Sequence, residues 1–286
     1  MKDERGSLVG YIPSLLDELG RDLGFSYSLD YVPDGNYGYR RADNSWDGMI
    51  GLLTQDKADV GAAPLYKTHD RSRVVDFTVP YLTVHGTLIT KTDTTVSPHV
   101  SLEAFLRRTP TQVGTLNRGV IVHSFRSTED PFLRQLWQDM IAESTLTLTR
   151  TNKEGLERVR TQNYSFILPH TIGEYLATRE PCDLMTVDRF LMDRGYSLVI
   201  RKNLTSLSVR EFDRSLRRLE KRGKLRELYN RWWFDSSACR GVSNPIRHRK
   251  SDVAAHASSQ NEADRLAQNP SFLYVLVLLF FNLLFL

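Results

Sequence analysis

Cys182 and Cys239 are the only two cysteines of the chain, and they have the widest range of chemistry open to them. Two are too few for a disulfide-dense scaffold or a cysteine zinc site. They read either as two buried free thiols, the default in a cytosolic protein, or as one disulfide closing a large loop. The second reading implies an oxidising compartment and contributes about 4 kcal/mol through the entropy of the unfolded chain. Asn-x-Ser/Thr triplets at Asn163 and Asn203 fit that compartment as glycosylation acceptors, although such triplets also arise by chance. Residues 1–10 hold no apolar run able to serve as a signal peptide, so a secreted form needs a start upstream of Met1.

Catalytic chemistry finds little purchase. There is no Gly-x-Ser-x-Gly elbow, no His-Glu-x-x-His pair and no Gly-rich phosphate loop. The seven histidines are scattered without ligand spacing. The expectation is a protein that is not an enzyme and carries no cofactor or metal. A net charge of +4 is partly local, in Arg247, Arg249 and Lys250, which leaves the body near neutral and gives no nucleic-acid footprint. With 41% apolar and 25% charged residues the chain has the composition of a globular protein, which excludes disorder over most of its length.

The elements that would position a site alternate between helix and strand. Leu15, Leu16, Leu19 and Leu23 share one helical face, entered through Pro13 and stopped near Gly24-Phe25. Residues 25–31 alternate at period two, a strand that ends in the turn signal Pro33-Asp34-Gly35. Residues 58–65 are small and mostly apolar, as in a buried strand. Residues 112–116 read as a strand leading into a helix after Gly119, and residues 164–168 as another short buried strand. Ser208 with Glu211 is a capping-box signature, Phe212, Leu216 and Leu219 line one face behind it, and Gly223 breaks the run. Such alternation gives an α/β protein in two lobes.

The C-terminal part differs in kind. Residues 241–270 are polar and linker-like, and residues 272–286 are apolar apart from Asn282. That tail is short of the ~20 residues a helix needs to cross a bilayer. Small residues at Ala257, Ser258 and Ser259, a polar spacer and an apolar end match the layout of a glycosylphosphatidylinositol signal. A truncated transmembrane helix and a buried tail are the other readings.

Several segments, taken in order, form a pattern. In the first half these are Asp34-Gly35-Asn36-Tyr37-Gly38, Trp46-Asp47-Gly48-Met49-Ile50-Gly51, Lys57-Ala58-Asp59, Ala63-Pro64-Leu65 with Arg71, and Val75-Asp76-Phe77 with Pro80-Tyr81. In the second half they are Gly114-Thr115-Leu116 with Gly119, Glu174-Tyr175, Pro181-Cys182-Asp183, Gly195-Tyr196, and Trp232-Trp233 ahead of Cys239. Together, over roughly residues 10–239, these segments resemble the ligand core of ionotropic glutamate receptors, and the resemblance implies the two-lobed clamshell of type II periplasmic solute-binding proteins, with a ligand cleft between the lobes. It implies that Cys182 and Cys239 are paired. The expected divisions are a first lobe over 1–91, a second over 92–199, C-terminal helices over 200–240 returning to the first lobe, a polar linker over 241–271 and an apolar membrane-attachment tail over 272–286.

By the same resemblance Arg71 holds the ligand carboxylate, a task a guanidinium fork suits because it makes two parallel charge-assisted bonds. Tyr37 lids the ligand, the Pro64 carbonyl accepts from its ammonium, and Tyr196 lies near the cleft. Three departures stand beside these matches. Tyr66 replaces a small hydroxyl residue and partly fills the cleft. Val120 and Ile121, after Gly119, replace Ser/Thr hydroxyls, which leaves only backbone N–H groups at a helix start. Pro169 falls where the family carries the acidic partner of the ammonium, with His170 beside it. The implied ligand is a small carboxylate, amino-acid-like in outline but lacking a charged amine.

Pore segments, which divide the two halves of the core in this family, have no counterpart between Lys91 and Ser97, where residues 92–96 are polar or small. The expectation is an extracellular ligand-binding module at the plasma membrane, tethered by its tail, with receptor subunits as candidate partners. The alternative is a poreless, tethered solute-binding or scavenging protein.

Overall fold

The structure is a computed structural model that describes residues 8–93, 100–239 and 271–277. From the N-terminus it runs through α1 (Tyr11–Leu23), β1 (Phe25–Tyr31), α2 (Gly48–Thr54), β2 (Val60–Ala62), α3 (His69–Ser72) and β3 (Val75–Lys91). There follow α4 (Leu102–Arg108), β4 (Gln112–Leu116), α5 (Val120–Ser127), α6 (Pro131–Ala142), α7 (Ser144–Thr147) and β5 (Leu148–Thr149). Next come α8 (Asn152–Thr161), β6 (Tyr164–Pro169), α9 (His170–Ala177) and β7 (Leu184–Arg201). The last elements are α10 (Val209–Lys221), α11 (Lys224–Asn230), a π-turn over Arg231–Asp235, and β8 (Ser271–Val277).

The described chain divides into two compact units, one built from residues 8–82, 195–232 and 271–277 and the other from 83–93, 100–194 and 233–239. The class is α/β and binding-protein-like, as expected. The chain passes from the first unit to the second within β3 and returns within β7.

In the first unit the strand order is β1-β8-β2-β7. β8 is parallel to β1 and β2, and β2 is antiparallel to β7 through Val60↔Ile200 and Gly61↔Val199. α1 buries Tyr11, Ile12, Leu15, Leu16 and Leu19 and ends where Gly24 adopts the left-handed conformation, its N–H donating to the Gly20 carbonyl. α10 packs its Phe212 against Phe25, with ring centroids 5.8 Å apart. Glu211 closes the expected capping box: its carboxylate accepts from the Ser208 N–H and Oγ, each at 2.8 Å. Glu211→Ala is expected to lower unfolding stability by about 1 kcal/mol, read from a urea titration.

The second unit has the order β3-β6-β4-β5, with β3 antiparallel to β6 and β4 parallel to both its neighbours. One core cluster forms around Leu88, Ile121, Phe125, Trp137 and Ile167, with the Phe125 and Trp137 rings stacked at 5.6 Å. Cys182 and Cys239 form a disulfide here, which decides between the two readings of these residues.

Two sequence expectations change in the structure. Residues 58–65 yield a strand only at Val60–Ala62, because the chain bends at Ala63-Pro64 and the proline has no N–H for a ladder. Residues 271–277, read as the approach to and start of a membrane-attachment tail, form β8 instead, with Leu273 and Val275 fully buried. An apolar run of that length suits a sheet slot covered on both faces, and periodicity alone does not separate the two uses. The remainder of the expected tail, 278–286, and the small residues 257–259 lie outside the described residues. Among the described residues no helix is long and apolar enough to cross a membrane.

Candidate ligand-binding site

Arg71 sits in the single turn of α3, which Thr68 caps by accepting from the Arg71 N–H. Its guanidinium is partly buried and donates to two backbone carbonyls, Tyr66 O at 3.4 Å and Gly38 O at 3.1 Å. No carboxylate among the described residues lies within ion-pairing distance of it. Burial draws its pKa down, and Tyr39, Tyr37 and the nearby Asp47 partly oppose that shift. A guanidinium starts high enough that it stays charged at neutral pH. The result is a half-buried cation held in place by carbonyls, with donors left for an anion.

The loop that supplies Gly38 is pinned at both ends. Asp34 accepts from the N–H groups of Asn36 and Gly48, each at 3.0 Å, and Asp47 accepts from the Tyr39 N–H at 2.6 Å. Gly38 takes φ 126° and lies so close to Ile50 that a Cβ would meet its side chain at 2.5 Å. Only glycine therefore presents this carbonyl to Arg71.

Tyrosines surround the arginine. The Tyr66 and Tyr196 rings lie 4.9 Å apart, and burial raises the pKa of Tyr37 and Tyr66 well above the phenol range, with Tyr196 next in effect on both. These hydroxyls are neutral donors at any physiological pH. The Tyr66 hydroxyl is buried beside Tyr196 without a hydrogen bond of proper geometry. The Pro64 carbonyl receives no hydrogen bond from the described residues, whereas the Ala63 carbonyl accepts from the Tyr81 hydroxyl at 2.8 Å. Tyr37, Pro64, Tyr66, Arg71 and Tyr196 thus all belong to the first unit, and the arginine, Tyr66, Tyr196 and Tyr37 form one neighbourhood.

The second unit holds the other candidates. Gly119 is exposed at φ 104° and precedes α5, whose first turn has no side-chain cap. Val120 is partly buried, and Ile121 is 4% exposed inside the core cluster of Phe125 and Trp137. The Ile121 side chain is therefore core rather than a direct substitute for a ligand-facing hydroxyl, and only its backbone N–H remains for an anion. Pro169 ends β6 opposite Gly86 and stands immediately before α9. His170 is buried, its Nδ1 accepts from the His85 N–H at 3.0 Å, and burial together with Arg189 keeps its pKa well down, so it is neutral. The unit's buried carboxylate, Glu174, accepts from Arg189 Nε at 2.7 Å. Asn163 and Asn203 are both exposed, in loops.

A family model described as "Ligated ion channel L-glutamate- and glycine-binding site" matches residues 1–94. A protein described as "Probable glutamate receptor", from Lithobates berlandieri, is 22% identical over 345 residues, covering 82% of this chain and 70% of that relative. Over residues 1–94 the chain is similar to the ligand-binding core of ionotropic glutamate receptors. The family match takes in Tyr37, Pro64, Tyr66 and Arg71 and stops short of Gly119 and Pro169. Sequence reasoning gave no site role to Gly38, whose carbonyl holds Arg71, to Asp47, which orders the loop beside it, or to Gly86, which pairs with Pro169, although Gly38 and Asp47 lie in segments that carry the resemblance. Gly38 and Gly86 act through backbone geometry, which leaves a faint mark in residue type alone, and Asp47 acts through its carboxylate on the Tyr39 N–H.

Proposed function

We propose that this chain is the extracellular ligand-binding module of an ionotropic glutamate receptor-like protein, taking a small carboxylate on Arg71. The observation that carries this reading is the half-buried guanidinium with carbonyl neighbours and no carboxylate. The family match over residues 1–94 supports the carboxylate half of the site. The disulfide and the exposed Asn163 and Asn203 support an oxidising compartment.

Absence of a pore within the chain is part of the proposal. Residues 92–96 are polar or small, and the alignment with the frog receptor runs to 345 residues, more than the 286 of this chain. The relative therefore holds residues without a counterpart here. Membrane tethering through 272–286 is the finer part of the reading that fits least well, because β8 claims residues 271–277.

The amine is where this site departs from the family description. Pro169 offers no charge, and Glu174 is occupied by Arg189. Holding an ammonium without its carboxylate costs about 2–5 kcal/mol, or about 30-fold and upward in affinity. Glutarate is expected to bind at least that much more tightly than L-glutamate in a calorimetric titration of the whole chain. Glutamate binding equal to or tighter than glutarate would refute the amine-free reading and leave the arginine site intact.

A further inference from the structure

We infer that residues 271–277 act as a donor strand. The slot between β1 and β2 is a binding site for an extended, parallel, apolar segment, and the chain fills it with its own C-terminal stretch. Parallel strands cannot be joined by a hairpin and need a long crossover. β8 arrives from α11 after the polar stretch 240–270, and it enters the interior of the first unit's sheet rather than its edge.

The fit is specific in register and in chemistry. All seven residues pair with β1, from Phe25↔Ser271 to Tyr31↔Val277, and three pair with β2, from Val60↔Val275 to Ala62↔Val277. Leu273 and Val275 have no exposed surface, while Phe272 is 65% exposed. Two carboxylates fix the register. Asp59 accepts from the Tyr274 N–H at 2.9 Å, and Asp30 accepts from the Tyr274 hydroxyl at 2.7 Å. Among the described residues β1 has no strand partner other than β8, so without the donor it leaves the sheet. Such a slot must be filled, because two open strand edges flanking an apolar face leave backbone groups unpaired.

Occupancy reaches the ligand site. Leu276 lies in the same core cluster as Ala63 and Leu65, and Tyr37 packs against that cluster. This second step rests on the ligand reading above; the first does not. Insertion and membrane attachment are exclusive uses of Leu273 and Val275, since a side chain buried in the sheet is withdrawn from a bilayer.

Cross-linking of the full chain tests the strand without unfolding it. Ser26 and Phe272 are exposed register partners. S26C/F272C is expected to form an additional intrachain disulfide under mild oxidation, and S26C/Y274C, two positions out of register, is not. Failure of the first pair, or equal reaction of both, overturns the proposal. A cross-link found only between two copies overturns the intrachain form and assigns the donor to a neighbouring molecule. Independently, Leu273→Asp is expected to speed amide exchange over 25–31 by about 100-fold or more, while Phe272→Asp leaves it unchanged. Unaltered exchange in Leu273→Asp also overturns the proposal. Glutarate titrated into the oxidised S26C/F272C protein separates the two readings. Binding as in the unmodified chain supports both, and a formed cross-link with no binding keeps the strand and rejects the ligand.

Discussion

Arg71→Ala is expected to reduce affinity for a small dicarboxylate such as glutarate by about 30-fold to several thousand-fold, with little change in stability. The magnitude is that of removing one member of a buried, hydrogen-bonded charge pair, about 2–5 kcal/mol. Stability changes little because the guanidinium has carbonyl partners but no ion pair to lose in the free protein. The released Tyr66 and Gly38 carbonyls are expected to recover water, which offsets most of the lost bonds. Arg71→Lys should recover only part of the affinity, since an ammonium cannot hold two carboxylate oxygens in a fork. Calorimetric titrations of the three proteins give both quantities. A variant that binds as tightly as the parent would remove Arg71 from the site.

Loss of the disulfide is the second large effect. In the Cys182→Ser, Cys239→Ser double variant the unfolded chain regains the freedom of a loop spanning 57 residues. The chain-entropy model gives a loss of about 4 kcal/mol, a large share of the 5–15 kcal/mol typical of a folded domain. The bridge ties the turn after α9 to the segment after the π-turn; Trp233 within that π-turn donates to the Thr171 carbonyl at 2.6 Å, and Ser237 after it donates to that of Thr178 at 3.2 Å. These bonds are expected to exchange first when the bridge is cut. Urea unfolding with and without reductant measures the loss, and an unchanged midpoint would contradict it.

Local signals in the sequence translated directly wherever a residue type has one dominant physical use. The period-two run at 25–31 is β1, residues 112–116 are β4, and Gly24 and Gly223 sit in left-handed backbone where helices stop. Phe212, Leu216 and Leu219 are all buried behind the Ser208–Glu211 box, as their spacing requires. Arg71 was singled out by the resemblance, but the wiring around it was not legible. That Arg71 rests on Gly38 depends on a φ of 126° and a contact with Ile50, neither of which periodicity records. Ile121 illustrates the opposite failure. Its place after Gly119 suggested a ligand-facing position, whereas helix α5 turns it into the core beside Phe125. The C-terminal run divides differently from the expected tail, because residues 271–277 form β8. A stretch of Leu, Val and Phe satisfies a bilayer and a doubly covered parallel strand equally well, and only the pairing of β8 with β1 and β2 separates them.

The central claim, that Arg71 takes the carboxylate of a small acid, is tested most directly by side-chain NMR of the arginine-labelled chain. The Arg71 Nε–H resonance, assigned by its loss in Arg71→Ala, would be followed as glutarate is added. The account predicts a saturable shift and slowed exchange of that resonance, with the same midpoint as the calorimetric titration. Saturable binding that leaves the Arg71 signal unmoved would place the acid elsewhere on the molecule and contradict the account.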